Sequence, residues 1–354
     1  MRLRSQLALL AAGLGVSACL SAAPASAQPP APGSSRACSA RVGVEGYSDV
    51  LDKTRFQGRF VGNLSALAVD QDGTIAALSD RSELFALDRR THAPRSVALL
   101  ADESGAPLDS EGLVVERDGS RLVSSESEPS VRRYGRDGAL LGRLAVPPEL
   151  RVAPQGRAAP NQTFEGLALQ PGGRTLVAAM EGALAGDPAD VVRVQTWRRH
   201  GGGDGFQLSA QYAYRVDGGL GVSETAAAGD GRLLVLERGF TAGVGNTVRL
   251  YLADLRQADD VRATGQEAVG DDVRLVRKTL LADLVHCPSL GAPAKQPQPN
   301  PLLDNIEALA VTGRGPGGRL RLLLASDDNQ NPLQITRLYR LTVQTPRSRP
   351  VRSI

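Results

Sequence analysis

Thr163-Phe-Glu-Gly-Leu-Ala-Leu169, then Pro171-Gly-Gly173, then Thr175-Leu-Val-Ala-Ala-Met-Glu181 holds the fold in miniature. The first segment is a short apolar strand, the second a glycine turn, the third a returning strand. Both strands are apolar on both faces, so both belong inside a stack of sheets. An acidic residue stands near the start of the first strand and another at the end of the second. A hairpin puts those two positions side by side at one end.

The unit recurs along the chain. Asn63-Leu-Ser-Ala-Leu-Ala-Val-Asp70 returns through Thr74-Ile-Ala-Ala-Leu-Ser-Asp80. Asp109-Ser-Glu-Gly-Leu-Val-Val-Glu116 returns through Arg121-Leu-Val-Ser-Ser-Glu126. Val222-Ser-Glu-Thr-Ala-Ala-Ala228 returns through Arg232-Leu-Leu-Val-Leu-Glu237. Asn305-Ile-Glu-Ala-Leu-Ala-Val311 returns through Leu320-Arg-Leu-Leu-Leu-Ala-Ser-Asp327. The spacing is about 45 to 60 residues, with a longer gap before the last copy, a period that suits propeller blades. The expected fold class is therefore all-β, a β-propeller. Six blades are favoured because the gap from Glu224 to Glu307 has room for one more, including Thr247 to Asp254; five or seven stay open. A strand near Arg41 to Phe60 is expected to close the ring against the last blade. The rival architecture is a pair of β-sandwiches. Long amphipathic helix patterns are lacking, which argues against an α/β hydrolase.

The rest of the 354-residue chain frames this unit. Hydrophobic residues make up 42%, enough for a large core, and a net charge of +3 gives no reason to expect nucleic acid or an anionic membrane as partner. Arginine carries nearly all the positive charge, since lysine occurs only at Lys53, Lys278 and Lys295. Residues 1–27 read as a signal peptide: Arg2 and Arg4, an apolar run from Leu7 to Leu20, and Ala25-Ser26-Ala27 as the cleavage site. The run is too short to span a membrane comfortably. Secretion is expected, with a lipoprotein anchored through Cys19 as the alternative. Residues 28–37 read as a disordered linker, 38–345 as the propeller and 346–354 as a tail. Cleavage leaves Cys38 and Cys287, an even count that suggests one disulfide in an oxidising compartment; two free thiols are the alternative.

If the strand ends converge on one mouth, Glu111, Glu165, Glu224 and Glu307 point to a common region. Asp80, Glu126, Glu181, Glu237 and Asp327 join them from the return strands. So many carboxylates either raise one another's pKa or recruit cations. Hard oxygen ligands suit Ca²⁺ better than Zn²⁺; Mg²⁺ and Mn²⁺ stay open. Each Glu has a structural alternative, accepting hydrogen bonds from the backbone N–H groups of the next blade. Arg81 and Arg238 follow return strands, where a guanidinium can fork onto phosphate or pair with those same acids. Asn246 could orient the loop after Gly243-Val-Gly245. The sequence has no Gly-x-Ser-x-Gly elbow, no His-Glu-x-x-His and no Walker loop. His92, His200 and His286 fall in loops and are expected at the surface. Trp197 could offer a stacking platform.

Taken together, several motifs resemble the phytase-like family of exported bacterial proteins, known by an esterase-like activity of phytase. They are Leu64-Ser65-Ala66-Leu67, Ser79-Asp80-Arg81, Asp109-Ser-Glu-Gly-Leu113, Phe164-Glu-Gly-Leu167, Ser223-Glu224, Leu236-Glu-Arg-Gly-Phe240, Asp304-Asn-Ile-Glu307 and Ser326-Asp-Asp-Asn329. The resemblance runs from about Gly58 to Val343; that to β-propeller phytases proper is more distant. It implies an ester-cleaving hydrolase. With the acids read above, the expected reaction is calcium-assisted phosphoester hydrolysis on a small molecule, by a monomer. Glu111, Glu126, Glu181, Glu237, Glu307 and Asp327 are the expected metal ligands, with Glu165, Glu224, Arg81 and Arg238 in catalysis. Carboxylic-ester hydrolysis, with Ser65 as a possible nucleophile, and a non-catalytic binding ring are the alternatives.

Overall fold

The computed structural model describes residues 36–199, 205–262 and 268–346. The signal peptide, Cys19, His200 and nearly all of the tail lie outside the described residues. Five four-stranded antiparallel sheets and one two-stranded hairpin account for the strands. From the channel outward, blade 1 holds Leu64–Val69, Ile75–Ser79, Glu83–Leu87 and Pro94–Leu99. Blade 2 holds Ser110–Val115, Arg121–Ser125, Ser130–Tyr134 and Leu140–Arg143. Blade 3 holds Phe164–Leu169, Thr175–Ala183, Val191–Arg198 and Gln207–Arg215. Blade 4 holds Gly221–Ala227, Leu233–Thr241, Gly245–Asp254 and Arg277–Asp283. Blade 5 holds Ile306–Arg314, Leu320–Ser326, Leu338–Val343 and, last, Val42–Ser48 from the start of the chain. Each inner strand packs on the next, and the fifth returns to the first.

The blade count is five, the lower end of the expected range. Among the described residues, the gap before the last copy holds no sixth blade. Thr247 to Asp254 lies within the third strand of blade 4, which is the longest strand. The closing strand pairs antiparallel with Leu338–Val343, so the two ends of the domain share one sheet. Cys38 and Cys287 form a disulfide, with Cα atoms 3.9 Å apart. It closes a loop across 249 positions, and such a loop restricts the unfolded chain by about 5 kcal/mol in the chain-entropy model.

The cores lie between blades. Ala66, Leu78, Leu113 and Val123 join blades 1 and 2. Phe164, Leu176, Val222 and Val235 belong to a cluster joining blades 3 and 4. The small residues of the repeat have a steric cause. A Cβ on Gly112 would stand 2.5 Å from the Leu167 Cβ, and one on Gly166 would stand 2.5 Å from the Thr225 nitrogen. The glycine after the acid is thus where neighbouring inner strands touch. Trp197 is not a platform: it is buried, edge-on to Phe164 at 5.8 Å, and its Nε1 donates to the Ala145 carbonyl at 2.7 Å. His92 is buried rather than at the surface, while His286 is exposed.

Candidate functional site

Every inner strand breaks register with its partner at one end. The shifts fall between Leu64 and Ala66, Ser110 and Leu113, Phe164 and Leu167, Val222 and Glu224, and Ile306 and Ala308. A bulge re-aims the side chain it carries. Aligning the blades on these bulges makes Ser65, Glu111, Glu165, Ser223 and Glu307 equivalent. The return strands then align Asp80, Glu126, Glu181, Arg238 and Asp327. Backbone bonds support the second set: the N–H groups of Asp80, Glu126, Glu181 and Asp327 donate to the carbonyls of Asn63, Asp109, Thr163 and Asn305.

All residues of the two sets but Ser223 line one cavity of about 470 Å³ at one end of the channel. Eight carboxylates line it: Asp80, Asp109, Glu111, Glu126, Glu165, Glu181, Glu307 and Asp327. Arg238 is the one cation among the described lining residues. Its Nη2 lies 2.9 Å from Glu307 Oε1 and 3.6 Å from Glu181 Oε1, bridging blades 5 and 3. Asn305 Nδ2 donates to Glu307 Oε1 at 3.0 Å. A second cavity along the inner strands is lined mostly by apolar side chains, among them Leu67, Leu113, Leu167 and Val311.

Two of the expected acids are elsewhere. Glu224 follows its bulge by one residue and turns into the seam between blades 3 and 4. Its Oε1 accepts the N–H groups of Leu167 at 3.0 Å and Thr225 at 2.7 Å, and the residue is 1% exposed. Glu237 precedes the aligned position, that of Arg238, by one residue. It is fully buried and accepts from Tyr214 Oη at 2.6 Å, the Asp217 N–H at 2.8 Å and Lys278 Nζ at 2.6 Å. Glu237 is thus bonded through both oxygens and Glu224 through Oε1, and neither lines the cavity. Sequence matching paired Ser-Glu-Thr with Ser-Glu-Gly, whereas the bulge counts one residue differently in blade 4. Arg81 stays on the rim: its side chain is 63% exposed, and its Nε stands 4.0 Å from Asp80 Oδ1. Of Asp327-Asp328-Asn329, only Asp327 and Asn329 line the cavity. Asp328 is buried, accepts the Asn63 N–H and pairs with Lys53.

Asp109, just before the inner strand of blade 2, was legible only as part of the repeat. It completes a group with Glu111 and Glu126 whose carboxylate oxygens lie within 4.8 Å of one another. Glu126, Glu165 and Glu181 form a second such group, so Glu126 belongs to both. Burial and this crowding act in the same direction. Burial, then repulsion from Glu181 and Asp109, pushes the Glu126 carboxyl up to about 8, despite a hydrogen bond with Glu165. Burial first, and neighbouring carboxylates second, hold Glu111 and Glu165 well above the usual carboxylate range. Burial also raises Glu181, opposed by Arg238. Asp80, Asp109 and Asp327 are raised mainly by burial.

The residues present fit a hard divalent cation. Glu126 Oε1 and Asp80 Oδ1 are buried with no protein hydrogen-bond partner among the described residues. Oxygens in that state are the ligands Ca²⁺ takes, and no histidine or cysteine is among the described lining residues. The carboxylates close enough to share a cation are Asp109, Glu111 and Glu126 in one group and Glu126, Glu165 and Glu181 in the other.

Among solved structures, the chain is similar to the virginiamycin B lyase of Staphylococcus aureus, at 8% identity and TM-score 0.38, over 82% of this chain and 83% of that one. It is also similar to the glutaminyl cyclase of Myxococcus xanthus, at 12% identity and TM-score 0.38, over 80% and 92%. No curated protein matches it. Residues 59–330 match the phytase-like family, described as esterase-like activity of phytase. That match spans most of the propeller, and the chain belongs to the phytase-like family.

Proposed function

We propose that the mouth of the ring hydrolyses small phosphoesters with the help of Ca²⁺. The observation that carries this reading is the pair of three-carboxylate groups sharing Glu126, with Arg238 lining the same cavity. When bound, Ca²⁺ supplies positive charge against the phosphoryl oxygens. Asp109, Glu111 and Glu126 would hold it. Arg238 donates to the phosphoryl oxygens, and its contact with Glu307 fixes the direction of its fork. Glu165 accepts the proton of the attacking water as the water oxygen bonds to phosphorus, and returns it to the ester oxygen as the P–O bond to the alcohol breaks. Glu224 has no part in this, because its carboxylate is held by backbone N–H groups.

Carboxylic-ester hydrolysis has weaker support. The Ser65 hydroxyl is buried and unpartnered in the cavity, but no histidine lines the cavity beside it among the described residues. Phosphate release from an aryl phosphate and from phytate, with calcium and then with chelator, tests the main reading. Release that depends on calcium is expected, greater from the aryl phosphate than from phytate. No release from either substrate, with the cation bound, would overturn it.

A further inference from the structure

Blade 4 meets the cavity with different chemistry from its neighbours. Its second and third strands, Leu233–Thr241 and Gly245–Asp254, pair without a break, with Phe240 opposite Asn246 and Arg238 opposite Val248. Alternate residues of a strand share a face, and directly opposed residues share it too. Arg238, Phe240 and Asn246 therefore stand on one face of one hairpin, and all three line the cavity.

Each of the three is unspent. Asn246 is 0% exposed, and neither Oδ1 nor Nδ2 has a hydrogen-bond partner among the described residues. Only its backbone N–H is engaged, by Gln298 Oε1 at 2.8 Å. A buried amide with both ends unmade costs the folded protein stability. A ligand that supplies an acceptor for Nδ2 and a donor for Oδ1 offsets that cost. Arg238 keeps a buried Nε without a partner beside its bonded Nη2. Phe240 is 55% exposed at the rim of an otherwise polar cavity, and Val244 at the hairpin tip is 54% exposed.

We infer that this hairpin is the substrate-recognition wall of the site, and that it selects monoesters of apolar or aromatic alcohols carrying a single phosphoryl group. The inference rests on the phosphoester reading above. Arg238 Nε and Asn246 Nδ2 donate to phosphoryl oxygens, and Asn246 Oδ1 accepts from a protonated one. Phe240 packs on the alcohol portion. One lining guanidinium matches one phosphoryl group, and eight surrounding carboxylates disfavour a polyanion.

Equilibrium binding of phenylphosphonate and methylphosphonate, which cannot turn over, tests this by calorimetry in calcium buffer. Wild type is expected to bind the phenyl compound about tenfold tighter. F240A removes that difference and leaves methylphosphonate binding unchanged. N246L weakens both by about tenfold and raises the Tm of the ligand-free protein by about 2 °C, which a merely structural amide would not do. If wild type binds both compounds and neither variant changes either affinity, the inference is overturned and the phosphoester reading stands. A fall in Tm for N246L overturns the role of Asn246. If wild type binds neither compound, the phosphoester reading falls and takes the inference with it.

Discussion

Blades 2 and 4 are built from the same hairpin and present opposite chemistry. Blade 2 sends Asp109, Glu111 and Glu126 into the cavity. At the positions of Glu111 and Glu126, blade 4 has Ser223 and Arg238, and it keeps its own acids, Glu224 and Glu237, inside the protein. The difference is one residue of register at a bulge. A carboxylate on the bulge faces the channel; Glu224, one position later, staples its strand to the preceding blade. Composition thus says little about an acid's role here, and its place relative to the bulge says most of it. The outcome is a mouth with acids on four blades and a cationic, aromatic and amide wall on the remaining one.

The sharpest way to break the comparison is to neutralise one acid of each kind. E126Q removes charge from both carboxylate groups at once. It should weaken calcium binding by about 100-fold or more, read by titration calorimetry or terbium luminescence. E224A should leave calcium affinity within about twofold, because Glu224 faces the seam. It should instead lower stability by about 1–3 kcal/mol in a denaturant melt, because two buried N–H groups lose their acceptor. Calcium affinities that fall equally in both variants would erase the distinction.

Making blade 4 resemble the others is the next test. R238E puts an acid where Asp80, Glu126, Glu181 and Asp327 already stand. It breaks the contact with Glu307 and adds a buried charge, so the cation-free protein should lose about 3–5 kcal/mol. Added calcium should recover more stability in this variant than in wild type, measured as the calcium-induced shift in Tm.

A smaller effect follows from protonation. Glu126, Glu111 and Glu165 hold their protons more tightly folded than unfolded, Glu126 up to about 8. Raised folded values mean that the contribution to stability is fully present below the unfolded value, about 4.3. It is then lost as pH rises through the folded values. The Tm of the cation-free protein should fall between pH 5 and about 8, as the Glu126 carboxyl ionises. Saturating calcium should flatten that slope. A Tm that rises over the same interval without cation would contradict the crowding.

Much of this was legible in the residues. The repeated hairpins gave the propeller, the strand near Arg41 closed it, and the paired cysteines tied its first and late segments. Glu111, Glu126, Glu165, Glu181, Glu307, Asp327 and Arg238 all reach the expected mouth. The misplacements share a physical cause. A bulge adds a residue without changing the apolar pattern, so pattern matching slipped by one at Glu224 and Glu237. The count of five was among those left open; the extra length that favoured six lies in the chain before and after the strand Arg277–Asp283, not in a further blade. The recognition wall was hidden for another reason: Asn246 and Phe240 lie outside the repeat, and only cross-strand pairing brings them beside Arg238.

A crystal structure of the protein soaked in calcium tests the central claim most directly. An ion should sit among Asp109, Glu111 and Glu126, with Glu224 still bonded to the Leu167 N–H. A mouth without an ion at saturating calcium, or an ion held by Glu224 or Glu237, would contradict it.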